Sequence, residues 1–198
     1  MMIHSLIKEV RKKWQHHETN RLIVAIDGLS RSGKTTITKE LEKELQRESI
    51  SYAILHIDDF ITERSKRYHT GRDQWEEYYH LQWDVEQLKE HLFKPLQEEA
   101  ILSLPFYLDK EDRHEWRSVH LPPKGVIIIE GVFLQRSVWR SFLDYIVYID
   151  CSRETRFRRE SNETQTLVHK FENRYWKAEE HYLKEEQPLE NAGLVIYN

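Results

Sequence analysis

The sequence predicts an α/β domain with a parallel central sheet, and three features carry that prediction. Residues 22–26 (LIVAI) and 126–129 (VIII) are short, unbroken apolar runs of the kind a strand covered on both faces requires. The first run leads at once into Gly28-x4-Gly33-Lys34-Thr35. Behind that pattern, Ile37, Leu41 and Leu45 recur at the spacing of one helix face. A strand, a glycine-bearing turn and a helix in this order are the setting in which G-x-x-x-x-G-K-[ST] forms a P-loop, so the fold class is α/β of the P-loop NTPase type.

The residue types follow from what a polyphosphate demands. A loop that wraps several negative charges must bring backbone N–H donors close, and side chains at Gly28 and Gly33 would obstruct that approach. Ser30, Arg31 and Ser32 complete the loop between them. The helix opening near Lys34 aims its N-terminal amides and positive dipole end at the same phosphates. Lys34 would reach the β- and γ-phosphates, Thr35 would ligate Mg²⁺, and Thr36 adds a further phosphate contact.

Length and composition bound the rest. The 198 residues suit one domain spanning 1–198, and a charged fraction of 32% with a net charge of −4 gives no electrostatic footprint for nucleic acid and no disordered acidic chain. Cys151 is the only cysteine, which excludes an intramolecular disulfide and a Cys-rich metal site and fits a reducing, cytoplasmic setting. No apolar run reaches the ~18 residues of a membrane span, and the N-terminus lacks the apolar core of a signal peptide.

In chain order, Ile3, Leu6, Ile7, Val10 and Trp14 form a helical stripe within 1–18, read as a helix packed on the domain and not on a membrane. Residues 52–57 (YAILHI) read as a second buried strand ending at Asp58-Asp59-Phe60, and open α/β sheets handle ligands at such strand ends. At least one of the two acids is therefore expected to face the γ-phosphate. Residues 61–83 are polar, charged and aromatic without a clean period, as a surface lid over a substrate would be. Asp84 then caps a helix whose stripe is Val85, Leu88, Leu92 and Leu96, bent or shortened by Pro95.

Two β-prone runs within 102–121, separated by DKEDRHE, predict a projecting antiparallel hairpin that carries Tyr107 and Arg113 as candidate substrate contacts. The strand at 126–129 ends in Glu130-Gly131, where the acid would hold Mg²⁺ or orient the substrate. A strand at 145–149 precedes Arg153, Arg156, Arg158 and Arg159, within a candidate arginine lid at 153–165. Guanidinium groups so placed neutralise charge on a transferring phosphoryl group, and Arg156 and Arg158 are the candidates for that role. A long charged helix follows, with Phe171, Tyr175, Ala178 and Tyr182 inward, and residues 194–197 supply a last strand.

The P-loop, Asp58-Asp59-Phe60, Leu104-Pro105-Phe106-Tyr107, Ile127-Ile128-Ile129-Glu130-Gly131 and the arginine helix, in that order, resemble the uridine kinase and phosphoribulokinase family of P-loop kinases. The resemblance covers about residues 20 to 198 and implies five parallel strands ordered 2-3-1-4-5, flanked by helices. It further implies that Asp58 is the general base, that Tyr107 lines the acceptor pocket, and that Asp59 and Glu130 lie at the substrate. Where relatives carry an Asp-His-Pro segment that contacts ribose, this chain reads Tyr78-Tyr79-His80-Leu81-Gln82-Trp83.

The function this implies is an ATP-dependent kinase that transfers the γ-phosphoryl to a small-molecule hydroxyl, with a nucleoside such as uridine leading. Its partners are ATP and that acceptor, with Mg²⁺ as cofactor held by Thr35, Asp58 and Glu130, and with neither nucleic acid nor membrane; assembly of identical copies is left open. Two alternatives stand beside it: a kinase of a vitamin-like alcohol such as nicotinamide riboside or pantothenate, and a nucleotide-binding regulator without an acceptor.

Overall fold

Every residue of the first strand, β1 (Arg21–Asp27), is buried, because apolar layers cover it from both sides. The computed structural model describes residues 2–198, with side chains from Ser5 onward. The helix α1 (Met2–Gln15) precedes β1, and α2 (Lys34–Arg47) follows the P-loop. β2 (Tyr52–His56) comes next, and a 3₁₀ turn over Ile57–Phe60 carries the two acids. The hairpin is β3 (Ile101–Leu108) and β4 (Arg113–His120), antiparallel with Leu104 opposite Arg117. β5 (Gly125–Gly131), β6 (Tyr145–Asp150) and β7 (Leu194–Tyr197) complete the main sheet.

That sheet runs β2-β5-β1-β6-β7, all parallel. With the hairpin set aside, this is the order 2-3-1-4-5 that the resemblance implies. Alternation along the strands sorts the core into two layers. Leu22, Val24, Ile26, Val126 and Ile128 face α1 and α2, meeting Leu6, Val10, Ile37, Leu41 and Leu45. The expected N-terminal stripe is thus a packing face; the Ile3 side chain lies outside the described residues. Ile23, Ala25, Ile127 and Ile129 face the opposite layer, where Trp83, Phe133, Trp139 and Tyr182 are buried. Truncating any of these large side chains to Ala would cost about 2–5 kcal/mol.

Residues 61–83 correct the expectation of an aperiodic surface segment. They contain α3 (Arg64–Arg67) and α4 (Gln74–Leu81), and Ile61 pairs with Trp83 in an antiparallel bridge. Arg67, Glu77, Tyr79 and Trp83 are buried. The polar members are inside because they are partnered: Glu77 meets Arg174 at 3.1 Å, and Arg174 also donates to the Arg67 carbonyl at 3.1 Å. That partner lies 97 residues away along the chain, so no local period reveals it.

Asp84 caps α5 (Val85–Leu88) by accepting from Gln87 N–H at 3.0 Å, and the helix continues through a π turn (Lys89–Phe93) into a 3₁₀ turn containing Pro95. α6 (Ser137–Arg140) lies between β5 and β6. After β6 come α7 (Arg153–Arg158), α8 (Asn162–Gln165) and a long helix. That helix consists of α9 (Val168–Lys170), a π turn (Phe171–Tyr175) and α10 (Trp176–Glu186), and α11 (Pro188–Asn191) leads from it to β7. Among the described residues no helix is long and apolar enough to cross a membrane.

Candidate active site

The carboxyl ends of β1, β2 and β5 open on one cleft of about 1230 Å³. This is where a parallel sheet of this order leaves a crevice, because connections from the central strand depart in opposite directions. The P-loop forms one wall, through Ser30, Arg31, Gly33, Lys34, Thr35 and Thr36. Gly33 has φ +101°, and a Cβ there would run into the Asn198 side chain, whose amide donates to the Ser32 carbonyl at 2.7 Å. Gly28 plays a different part from the one expected. It is not on the cleft lining, and a Cβ there would stand 2.7 Å from the Ile149 carbonyl, so its bareness lets the loop seat on β6. Ser32 is likewise fully buried, with an unpartnered hydroxyl.

Lys34 is buried and donates to the Leu29 carbonyl at 3.0 Å. Burial pulls its pKa down against the charges of Glu130 and Asp58. Thr35 donates its hydroxyl to Glu130 Oε2 at 3.3 Å, and His56 Nδ1 meets the same oxygen at 2.7 Å. Burial pushes the Glu130 carboxyl up, but the contacts from His56, Lys34 and Thr35 prevail and hold it below its ordinary value. Asp58 faces the cleft, and loss of surrounding water raises its pKa against the attraction of Lys34.

Hydroxyl and carboxylate oxygens of this kind suit Mg²⁺, which takes one or two carboxylates plus substrate phosphates and water. Thr35, Glu130 and Asp58 all line the cleft and are the residues that could contribute oxygens to such a site; among the described residues no group of three or more His, Cys, Asp and Glu is placed to cage a metal.

Four expected contacts fall elsewhere. Asp59 is not on the cleft lining, because consecutive residues of a 3₁₀ turn point about 120° apart and Asp58 takes the inward position. Tyr107 donates to Asp112 at 2.7 Å and accepts from Arg67 at 3.2 Å, outside the lining. Arg113 is exposed at the hairpin tip, paired with Glu111 at 2.6 Å. Arg158 is exposed and turned toward its own helix, with Thr155 Oγ1 at 3.3 Å. In its place Arg159 reaches the cleft and donates to the Arg31 carbonyl at 3.0 Å.

Arg156 does line the cleft, but its guanidinium is engaged. It donates to both Glu179 oxygens at 2.7 and 2.9 Å, and to the Ser30 and Cys151 carbonyls at 3.2 and 3.1 Å. It is therefore a brace between α10 and the P-loop in this structure, and not a free clamp. Glu179, Gln82 and Asn198 on the lining were not anticipated, nor were His56 behind Glu130 and the aromatic wall of Phe157, Phe171, Tyr175 and Trp176. Glu179 adjoins Ala178 of the predicted inward stripe, which is the one sequence signal pointing to it.

The strand, loop, helix and acid-floored cleft define a P-loop nucleotide-binding protein. The family model described as "AAA domain" matches residues 24–179. The uridine kinase of Staphylococcus haemolyticus (strain JCSC1435) is 30% identical over 141 residues, covering 71% of this chain and 67% of that protein. That of Brevibacillus brevis is 29% identical over 71% of this chain and 64% of its own length, so the match spans about two thirds of these curated relatives. A solved structure called a "possible uridine kinase" from Bacillus stearothermophilus is 45% identical with a TM-score of 0.85, covering 99% of this chain and 100% of that one. The chain belongs to the uridine kinase and phosphoribulokinase family of P-loop kinases.

Proposed function

We propose that this protein, acting as one domain in the cytoplasm, is an ATP-dependent kinase that transfers the γ-phosphoryl of Mg·ATP to a hydroxyl of a small molecule, with a nucleoside such as uridine as the leading acceptor. The observation that carries the reading is Asp58, which opens on the same cleft as Lys34 and whose pKa is raised by desolvation. A nucleotide-hydrolysing switch has no need of a base for an alcohol.

In this reading the P-loop amides and Lys34 hold the β- and γ-phosphates, and Thr35, Glu130 and Asp58 face the Mg²⁺ that arrives with the nucleotide. Bound there, the ion neutralises charge on the phosphate oxygens. Asp58 accepts the proton of the acceptor hydroxyl as its oxygen bonds to phosphorus, and ADP leaves. Arg159 supplies positive charge beside the loop. Positioning and charge neutralisation do most of the work in such transfers.

The test is a coupled ADP-release screen of the purified protein against uridine, cytidine, nicotinamide riboside, pantothenate and simple sugars. Acceptor-dependent release with uridine or cytidine is expected. Release that is the same with and without every acceptor would sink the reading.

A further inference from the structure

Three successive carbonyls of the P-loop each accept a hydrogen bond from a side chain in the far half of the chain. The Ser30 carbonyl takes Arg156 Nη1 at 3.2 Å, the Arg31 carbonyl takes Arg159 Nη1 at 3.0 Å, and the Ser32 carbonyl takes Asn198 Nδ2 at 2.7 Å. The two arginines carry charge that bears on phosphate directly. Asn198 is neutral, and the reading above gives it no task.

A trans peptide unit is planar, so the C=O of one residue and the N–H of the next point in opposite directions, and holding the first aims the second. The planes of the loop are not held equally. Ser32 N–H donates to the Leu29 carbonyl at 3.1 Å, so the Arg31–Ser32 peptide is fixed at both ends. The Gly33 carbonyl accepts from Thr36 and Ile37 N–H at 3.1 and 3.2 Å, which locks the Gly33–Lys34 peptide into α2. Between these two lies the Ser32–Gly33 peptide. Among the described residues its N–H has no backbone partner, and the donor on its carbonyl is Asn198.

That plane is also the easiest in the loop to turn over. Gly33 has φ +101° and no Cβ, so rotation about its bonds meets none of the resistance that a side chain offers. A flipped plane presents a carbonyl oxygen where the loop otherwise presents an N–H, and an anion then meets the negative end of the dipole. Asn198 is well placed to prevent this. Its own N–H donates to the Asp150 carbonyl at 2.8 Å, and the preceding Tyr197 pairs with Asp150 in the β6–β7 ladder. A Cβ on Gly33 would run into Asn198 Nδ2, so amide and glycine fit closely.

Resting on the phosphate-cradle part of the kinase reading, we infer that Asn198 is a positioning residue for nucleotide binding: it holds the Ser32–Gly33 peptide with its N–H turned to the phosphates. It acts through the loop and not by touching the base or the sugar.

The experiment compares the wild type with Asn198→Ala. Calorimetry measures the affinity of each for Mg·ATP and for Mg·tripolyphosphate, which has the phosphates but neither base nor ribose. Asn198→Ala should weaken both ligands by the same factor, about three- to tenfold, the range that one net hydrogen bond of ordinary strength gives. In assays of transfer, the KM for Mg·ATP should rise by more than kcat falls. In amide spectra of isotope-labelled protein without ligand, the Gly33 resonance should shift or broaden in the variant, because its peptide now samples both orientations. Parental affinity for both ligands would overturn the inference. So would a loss confined to Mg·ATP, which would mean that Asn198 touches the nucleoside part. A Gly33 resonance sharp and unmoved in the variant would overturn it too, since the plane would then keep its orientation without the amide, as would a wild type that binds neither ligand. Equal loss of both ligands in a protein that transfers phosphate to no acceptor would defeat the kinase reading and leave the role of Asn198 standing.

Discussion

Arg156 and Glu179 form a two-point ion pair beside the P-loop, with Nη1 to Oε1 at 2.7 Å and Nη2 to Oε2 at 2.9 Å, both side chains almost fully enclosed. Taking two charges out of water is expensive, and the loss of one partner leaves the other stranded. Glu179→Ala should therefore destabilise the fold by about 3–5 kcal/mol, the usual consequence of breaking a buried pair. Because Arg156 also holds the Ser30 carbonyl, Mg·ATP affinity should fall too. Urea unfolding and nucleotide titration together check this; a variant as stable as the parent contradicts it.

The two arginines at 158 and 159 should separate cleanly. Arg158→Ala removes an exposed group with two weak contacts inside its own helix, to the Glu154 carbonyl and the Thr155 hydroxyl, and surface interactions of this kind are worth about 0–1 kcal/mol. Its kinetics should match the parent. Arg159→Ala removes a cation that lines the cleft, and the KM for Mg·ATP should rise several-fold. The reverse pattern would restore Arg158 to the site.

Lys34→Ala should abolish transfer and weaken ATP binding, since it deletes the side-chain charge nearest the β- and γ-phosphates. Lys34 is buried and its charge is held against desolvation. Its removal should consequently leave the melting temperature unlowered, and full activity in a folded variant would refute the phosphate cradle.

Asp58→Asn keeps shape and hydrogen bonding but removes the proton acceptor, so transfer should fall by roughly 10²–10⁴ with ATP binding nearly unchanged. The base acts when ionised, and burial lifts its pKa above the ordinary 3.8. Activity should thus decline on acidification at a higher pH than an ordinary carboxylate would give. Parental kcat in the Asn variant would dismiss Asp58 as the base.

Asp27, immediately before the P-loop, is fully buried and accepts from Tyr182 at 2.5 Å and from Gln135 at 2.9 Å. Burial raises its pKa above 3.8, and these hydrogen bonds oppose the rise. The folded state then holds the proton more tightly than the unfolded one, so stability falls as pH climbs from 3.8 through the raised value. Tyr182→Phe strips one opposing bond and should deepen that fall, costing about 1–3 kcal/mol at neutral pH. Chemical denaturation at several pH values is the check; superimposable curves would exclude the linkage.

What could be read in the sequence was local or periodic. The apolar runs at 22–26 and 126–129, the stripe at Ile37, Leu41 and Leu45, the Asp84 cap and the hairpin each depend on neighbours within a few residues, and each is where the pattern put it. Residues whose role depends on a distant partner could not be read in this way. Glu179 looks like any glutamate of a charged helix until α7 brings Arg156 to it, and Glu77 looks like lid surface until Arg174 arrives. Asp58 and Asp59 share one strand end and one composition; only the pitch of the turn that carries them decides which faces the cleft.

The π turn at Phe171–Tyr175 fixes how the aromatic wall is aimed. A regular α-helix turns about 100° per residue, so eight steps separate Phe171 from Glu179 by roughly 80°, whereas a turn that absorbs one extra residue brings them close to alignment. Both line the cleft. The frame of this helix is therefore set by a count of residues and not by their chemistry. Deleting one residue from 172–175 would let the helix relax to regular pitch over seven steps, about 700°, which keeps Phe171 within about 20° of alignment with Glu179. A one-codon deletion there would remove the bulge and leave the aromatic wall facing the phosphate cradle, whereas one extra residue in the regular turns of α10 would swing Phe171 away by about 100°.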